Sequence, residues 1–184
     1  MNKSFIGLLA VGLWACNYDV QYLGEVSDSV AEQGLHLRIG KLELSNPNDD
    51  AFIPIEISNV SKDTIYINNL FRFKDYPDSG YCELIISDQS GKIFPRTNIN
   101  VFKCFGDIDQ KSEYCRVLPR MFHQDTLLID LIREYELEQG KTYSIFAKFV
   151  NHRLLPPDSF PFQIPAGCRL WTGILKSNTY KFRL

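Results

Sequence analysis

The chain has 184 residues, a formal net charge of -2 and 45% hydrophobic residues, a length that fits one domain with a sizeable core. Its 20 Lys and Arg are scattered among 22 Asp and Glu. No basic stripe is present to neutralise a phosphate backbone, so DNA and RNA are excluded as expected partners. There is no Gly-rich phosphate loop, and no repeat with a period of roughly 20–50 residues.

The first residues form a secretory pattern: a basic start at Lys3, an apolar run over 5–15, and the small residue Ala15 before a cysteine. A run of about eleven residues is too short to cross roughly 30 Å of hydrocarbon. Leu13-Trp14-Ala15-Cys16 resembles the bacterial lipobox. That resemblance implies cleavage before Cys16, lipidation of Cys16 as the new N-terminus, and a membrane partner held through the lipid. Asn17, in place of the Asp that retains such proteins at the inner membrane, implies an outer-membrane lipoprotein of the cell envelope facing the periplasm or exterior. The alternative is a plain export signal with an incidental cysteine. The expected division is a signal peptide over 1–15, a lipidated cysteine and flexible tether over 16–34, and a folded domain over 35–184. The tether is polar and rich in Gly, Ser, Asp and Glu.

From Leu35 onward, short segments alternate apolar and polar residues with the period of a half-buried strand. Leu35, Leu37 and Ile39 alternate, then Leu42 and Leu44 continue in the opposite phase, which predicts a bulge at Gly40. Over 52–58, Ile53, Ile55 and Ile57 share one face. Pro54 in that run predicts an edge strand or a bulge, because proline lacks the ladder donor. The turn over 59–63 predicts a hairpin to a strand over 64–68. Further strands are expected over 81–87, 93–94, 99–104, 126–131, 141–150 and 180–184, with Asp88-Gln89-Ser90-Gly91 as the turn after the first. A short helical turn fits 130–138, where Leu131, Tyr135 and Leu137 share a face. The segment over 151–168 holds four of the nine prolines and predicts an ordered loop. The fold expected is all-β, an antiparallel immunoglobulin-like β-sandwich of about seven to eight strands.

Apart from Cys16, the cysteines are Cys82, Cys104, Cys115 and Cys168. An even number in an exported chain suggests disulfides. Cys104 and Cys115 bracket a polar loop, which would leave Cys82 for Cys168; the other connectivities stay open. A zinc site is the competing reading, but no Cys-x-x-Cys occurs and His36, His123 and His152 are isolated. No metal or other cofactor is expected.

Two stretches carry a family resemblance. Residues 52–67 resemble the strand, turn and strand that open many extracellular immunoglobulin-like domains. Asp130-Leu131, Tyr135, Leu137, Gly140 and Tyr143, followed later by Ser177-Asn178, are similar to the non-catalytic β-sandwich preceding the catalytic domain of deuterolysin-type metalloproteases. Leu137, Gly140 and Tyr143 have the spacing of a tyrosine corner, whose hydroxyl bonds nearby backbone. The His-Glu-x-x-His of the catalytic domain is absent. The resemblance therefore implies only the non-catalytic part.

No Gly-x-Ser-x-Gly elbow occurs. Asp49-Asp50, Asp107-Asp109 and Glu134-Glu136-Glu138 read as solvated turns and faces, and 46–50 as a plain turn in preference to a calcium loop. Two surfaces are candidates for binding: Phe71, Arg72, Phe73 and Tyr76, which interleave rings and charges, and Leu154, Leu155, Phe160 and Phe162 in the proline-rich loop. Asp28-Ser29-Val30, Asp63-Thr64-Ile65 and Asp125-Thr126-Leu127 resemble the O-glycosylation acceptor of exported Bacteroidota proteins, and Ser29 in the tether is the expected site. The function expected is that of a lipid-anchored, non-catalytic binding or accessory domain with an envelope protein or glycan as partner. The alternative is an enzyme or inhibitor acting on envelope polymers through a loop-built site.

Overall fold

The computed structural model describes residues 20–44, 50–68, 81–97, 114–151 and 165–184. In chain order the elements are β1 (Gln21–Ser27), β2 (Leu35–Ile39), β3 (Glu43–Leu44), β4 (Asp50–Asn59), β5 (Thr64–Asn68), β6 (Tyr81–Asp88), β7 (Ile93–Phe94), β8 (Tyr114–Val117) and β9 (Phe122–Asp130). Helix α1 (Leu131–Tyr135), β10 (Thr142–Asn151), β11 (Cys168–Leu170) and β12 (Gly173–Arg183) complete them. One layer of the sandwich is a five-stranded sheet in the order β1-β12-β10-β6-β7. Facing it are β2 and β3 with β4 and β9, and a three-stranded sheet β11-β5-β8. All pairings are antiparallel except that of β11 with β5.

Alternation in β4 sends Ala51, Ile53, Ile55 and Ile57 into a single core, all at most 1% exposed. Each of the three isoleucines contributes roughly 1.5–3 kcal/mol on leaving water. β4 pairs with β9 along one side and with β2 and β3 along the other, so it is central and not the expected edge strand. Pro54 is tolerated because it falls in the gap between β2 and β3. There its carbonyl accepts from Gly40 N–H at 2.7 Å, and the missing N–H falls where neither β2 nor β3 is paired with β4. The expected bulge at Gly40 is this break, and a Cβ on Gly40 would stand 3.0 Å from Pro54 Cβ.

The expected hairpin between β4 and β5 does not form, because β5 lies in the other sheet of its layer. Asn59 makes the crossing possible. Its Oδ1 accepts from Ser61 N–H at 2.9 Å and from Ser61 Oγ, while its Nδ2 donates to Asp63 O at 2.8 Å and Val117 O at 2.9 Å. A side chain 1% exposed thus closes the turn and ties it to β8.

Sequence reading recognised only the last part of β12, which runs from Gly173. Phe146 pairs with Thr179 and Lys148 with Lys176, so Ser177 and Asn178 together oppose Ala147 in a bulge. Ser177 Oγ accepts from Ala147 N–H at 2.8 Å and donates to Asn178 O. Asn178, fully buried, turns its amide to the opposite layer, with Oδ1 accepting from Ile39 N–H at 2.8 Å and Nδ2 donating to Ile39 O at 3.2 Å.

The tyrosine corner is present. Tyr143 Oη accepts from Glu138 N–H at 2.8 Å and donates to Glu138 O at 3.1 Å. Helix α1 is one short turn, with Asp130 Oδ1 accepting from Arg133 N–H at 2.8 Å and Glu136 ending it at φ 53°. Leu131, Tyr135 and Leu137 are buried as expected. Glu134 is not a solvated carboxylate; its Oε2 is 2.6 Å from Arg96 Nε, with both side chains 14% exposed. The turn after β6 also forms, with Asp88 Oδ1 accepting from Ser90 and Lys92 N–H.

Twelve strands are described, against about seven to eight expected. The surplus comes mainly from segments too short or too exposed to show alternation. β1 is the instructive case, since Gln21–Ser27 belongs to the expected tether yet pairs with β12 from Gln21 with Arg183 to Ser27 with Thr179. Its side chains are almost all exposed, so the strand is held by backbone pairing and leaves no apolar period in the sequence. The stretch over 28–34 of the expected tether is also built in. Glu32 bridges Leu35, and Gly34, at φ 82°, accepts from Val60 N–H. A Cβ on Gly34 would lie 2.7 Å from Ser61 Cβ. The expected strand over 99–104 lies outside the described residues.

Candidate functional site

The pairings define two ends of the sandwich. At one, Gln21 pairs with Arg183 and Arg183 with Thr142, close to the turn at Gly140. At the other, Asn151 pairs with Gly173 and donates to Trp171 O, Trp171 donates to Glu32 O, Val60 N–H donates to Gly34 O, and Asn59 bonds the 118–121 turn. The ten residues of β10 separate these ends by roughly 30 Å. Residue 20 enters at the first end. The second is the far end.

At the far end, Asn59 N–H donates to Met121 O at 2.9 Å and Arg120 N–H to Asn59 O at 2.9 Å, docking the 118–121 turn beside β4. Arg120 takes a left-handed conformation, φ 61°, to close it. The turn presents Leu118, Met121 and Phe122 at 41%, 53% and 58% exposure, with Val60 at 57% across the Asn59 pairing. Phe122 stands opposite Ser58 on the outer face. Leu118, Met121 and Phe122 on and beside this turn, with Val60 on the neighbouring one, put four exposed large apolar residues at one end of the sandwich.

At the entry end a hollow of about 600 Å³ is lined by Val20, Gln21, Tyr22, Lys41, Arg183 and Leu184. Lys41 Nζ lies 5.9 Å from the centre of the Tyr22 ring, and Tyr22 meets Tyr180 edge-on at 5.3 Å. Desolvation, with smaller effects from Tyr180 and Glu25, raises the Tyr22 hydroxyl above its ordinary pKa.

The surfaces expected to bind, Phe71, Arg72, Phe73 and Tyr76, and Leu154, Leu155, Phe160 and Phe162, lie outside the described residues, as do Cys16, Cys104 and the 45–49 turn. Among the described residues Cys82, Cys115 and Cys168 carry no disulfide, so the expected pairing of Cys82 with Cys168 is not made. The register gives a reason for this. Cys82 sits in the core beside Phe149, whereas Cys168 pairs with Thr64, one residue out of phase with the core-facing Ile65. Burial pushes the Cys82 thiol up to about 12, with the Glu83 charge a smaller cause, and burial likewise pushes Cys115 to about 12. Desolvation also raises the Tyr135 hydroxyl. Because the thiolate is the reactive form, we expect neither Cys82 nor Cys115 to react with a maleimide at pH 7.5 over minutes. All should label after unfolding in guanidinium. Rapid native labelling of Cys82, read by mass spectrometry of peptides, would contradict its burial.

Ser29, the expected sugar acceptor, is 7% exposed and its Oγ is enclosed without a hydrogen-bond partner. The fold therefore withholds it, whereas Thr126 in the third acceptor triplet is exposed. Among the described residues, no group of three or more His, Cys, Asp and Glu side chains converges as a metal site would require. The apolar far end was invisible to sequence reading. Leu118, Met121 and Phe122 flank a turn of Pro119 and Arg120, and nothing in their spacing marks them as exposed.

No protein-family model matches the chain, and a search of curated proteins finds no match.

Proposed function

We propose that this chain is a lipid-anchored, non-catalytic module of the cell envelope that binds a protein partner through the apolar surface at its far end. The observation that carries this reading is the cluster of Val60, Leu118, Met121 and Phe122 on the end opposite to the chain's entry. Apolar residues exposed together at one end are the kind of anchor that protein interfaces use, in which a few buried apolar side chains contribute most of the affinity. Placement favours a partner as well, because a chain tethered through Cys16 holds this end farthest from the bilayer. The export signal and the resemblance of residues 13–16 to a lipobox support the anchor, and Asn17 supports the outer membrane.

The test is a photo-crosslinking residue placed at Met121 or Phe122 in cells, with Ile93 as the control position. Ile93 is 59% exposed but lies on β7, beside the turn after β6. A discrete protein adduct is expected from 121 and 122 and none from 93. Met121→Asp, with a crosslinker at 122, should reduce the adduct at least tenfold while leaving the melting temperature within about 2 °C, as befits an exposed position. Equal adducts from all three positions, or none, would reject the reading.

A further inference from the structure

The entry end offers a second surface, with a different chemistry. Among the described residues, the side chains lining its hollow include two cations, Lys41 and Arg183, two apolar groups, an amide and a phenol, and no carboxylate. Arg183 is aimed by its Nε–H, which donates to Gly140 O at 3.2 Å, so the fork is held at the rim. Glu138, on the neighbouring turn, is already matched by Lys141 at 2.8 Å. Tyr22 and Tyr180 add two rings with polar tips, the side-chain type that settles at the level of lipid headgroups.

Chain length then places this surface. Only Asn17, Tyr18 and Asp19 separate Cys16 from Val20, a reach of at most about 15 Å. Because β1 pairs from Gln21 onward, the linker that the sequence suggested is largely absorbed into the sheet. A diacylated Cys16 would therefore hold Val20, on the edge of the hollow, within about 15 Å of the lipid it carries.

We propose that the entry end docks on the bilayer, with Lys41 and Arg183 receiving phosphate oxygens of anionic lipid headgroups in the hollow and Tyr22 lying at headgroup depth. This inference rests on the lipid-anchor reading. Each cation near an anionic leaflet favours the bound orientation by about fivefold. Two of them convert a domain free to tumble on its anchor into one held upright, with the far end exposed.

The experiment uses the full lipidated protein in vesicles of phosphatidylcholine alone or with roughly a third phosphatidylglycerol, read by amide hydrogen exchange after flotation. Exchange over residues 20–24, 40–43 and 181–184 should slow at least threefold in the anionic vesicles, with 118–122 unchanged. The pair Lys41→Glu and Arg183→Glu should remove the difference without preventing flotation. Equal exchange in both vesicles, with the protein afloat, would overturn the docking surface and leave the anchor intact. Equal protection by inorganic phosphate in phosphatidylcholine vesicles would assign the hollow to a free anion and overturn it too. Failure of the wild type to float, or flotation of Cys16→Ser, would overturn the anchor and this inference with it.

Discussion

Replacing Trp171 with Ala is expected to cost about 3–5 kcal/mol, the range for truncating a large aromatic side chain in a closed core. Trp171 is fully buried and stacks on Phe149 with ring centres 6.1 Å apart and planes 22° from parallel. Its Nε1–H donates to Glu32 O at 3.2 Å, its backbone N–H to Tyr66 O at 2.9 Å, and its carbonyl accepts from Asn151. One residue thereby joins β10, β5 and the segment between β1 and β2. Removal would open a cavity and leave a carbonyl of Glu32 without its donor. A typical domain has only about 5–15 kcal/mol to lose, so a fall in melting temperature on the order of 10 °C follows. Differential scanning calorimetry checks it. The far end, where these hydrogen bonds lie, should loosen first. A shift under about 3 °C would mean that the ring is not the keystone described.

The second large effect is expected at Asn178, where Leu in place of Asn should cost roughly 2–5 kcal/mol in chemical denaturation. Leu keeps the branching of Asn but carries bulkier methyls, so the loss combines some overpacking with the orphaning of Ile39 N–H and C=O inside the core, at about 1–3 kcal/mol for each unsatisfied group. Asn178→Asp separates hydrogen bonding from shape. The ionised carboxylate still accepts from Ile39 N–H but faces Ile39 O with no proton to donate, and burial opposes its charge. Its folded pKa should stand above the unfolded value of about 4. By linkage its contribution is present below that value and lost as pH rises through the folded pKa, so this variant should weaken toward neutrality relative to the wild type. Urea midpoints at pH 4 and pH 7 decide the matter. An unchanged difference from wild type across that interval would show that the amide does not bridge the layers.

Much of the core was readable in advance because it obeys a local rule. Ile53, Ile55, Ile57 and Leu35, Leu37, Ile39 alternate with polar neighbours, and a half-buried strand is the arrangement that buries such a set together. Tyr143 could be assigned its corner from Leu137 and Gly140, since the hydroxyl reaches backbone only five residues away. Pairing partners obeyed no such rule. β5 looked like the return strand of a hairpin, and only the hydrogen bonds of Asn59 to Asp63 and Val117 reveal that the chain changes sheets there. β1 was read as linker because its stability lies in backbone pairing with a strand more than 150 positions away.

The candidate surfaces divide in the same way. The proposed export signal and the lipobox resemblance at Cys16 are contiguous patterns, and they are the part of the functional proposal that rests on the amino-acid order alone. The amino-acid order did determine the all-β class and the short helix at Leu131–Tyr135. Tertiary structure decided that Met121 and Phe122 face outward at one end while Lys41, Tyr22 and Arg183 meet at the other. It also left Cys82 and Cys168 unjoined and enclosed Ser29. Periodicity reports which face of a strand is buried, because neighbouring residues share one backbone. Which ends adjoin, and how much chain remains between an anchor and the first paired residue, depends on contacts between strands far apart in the chain, and those leave no local pattern to read.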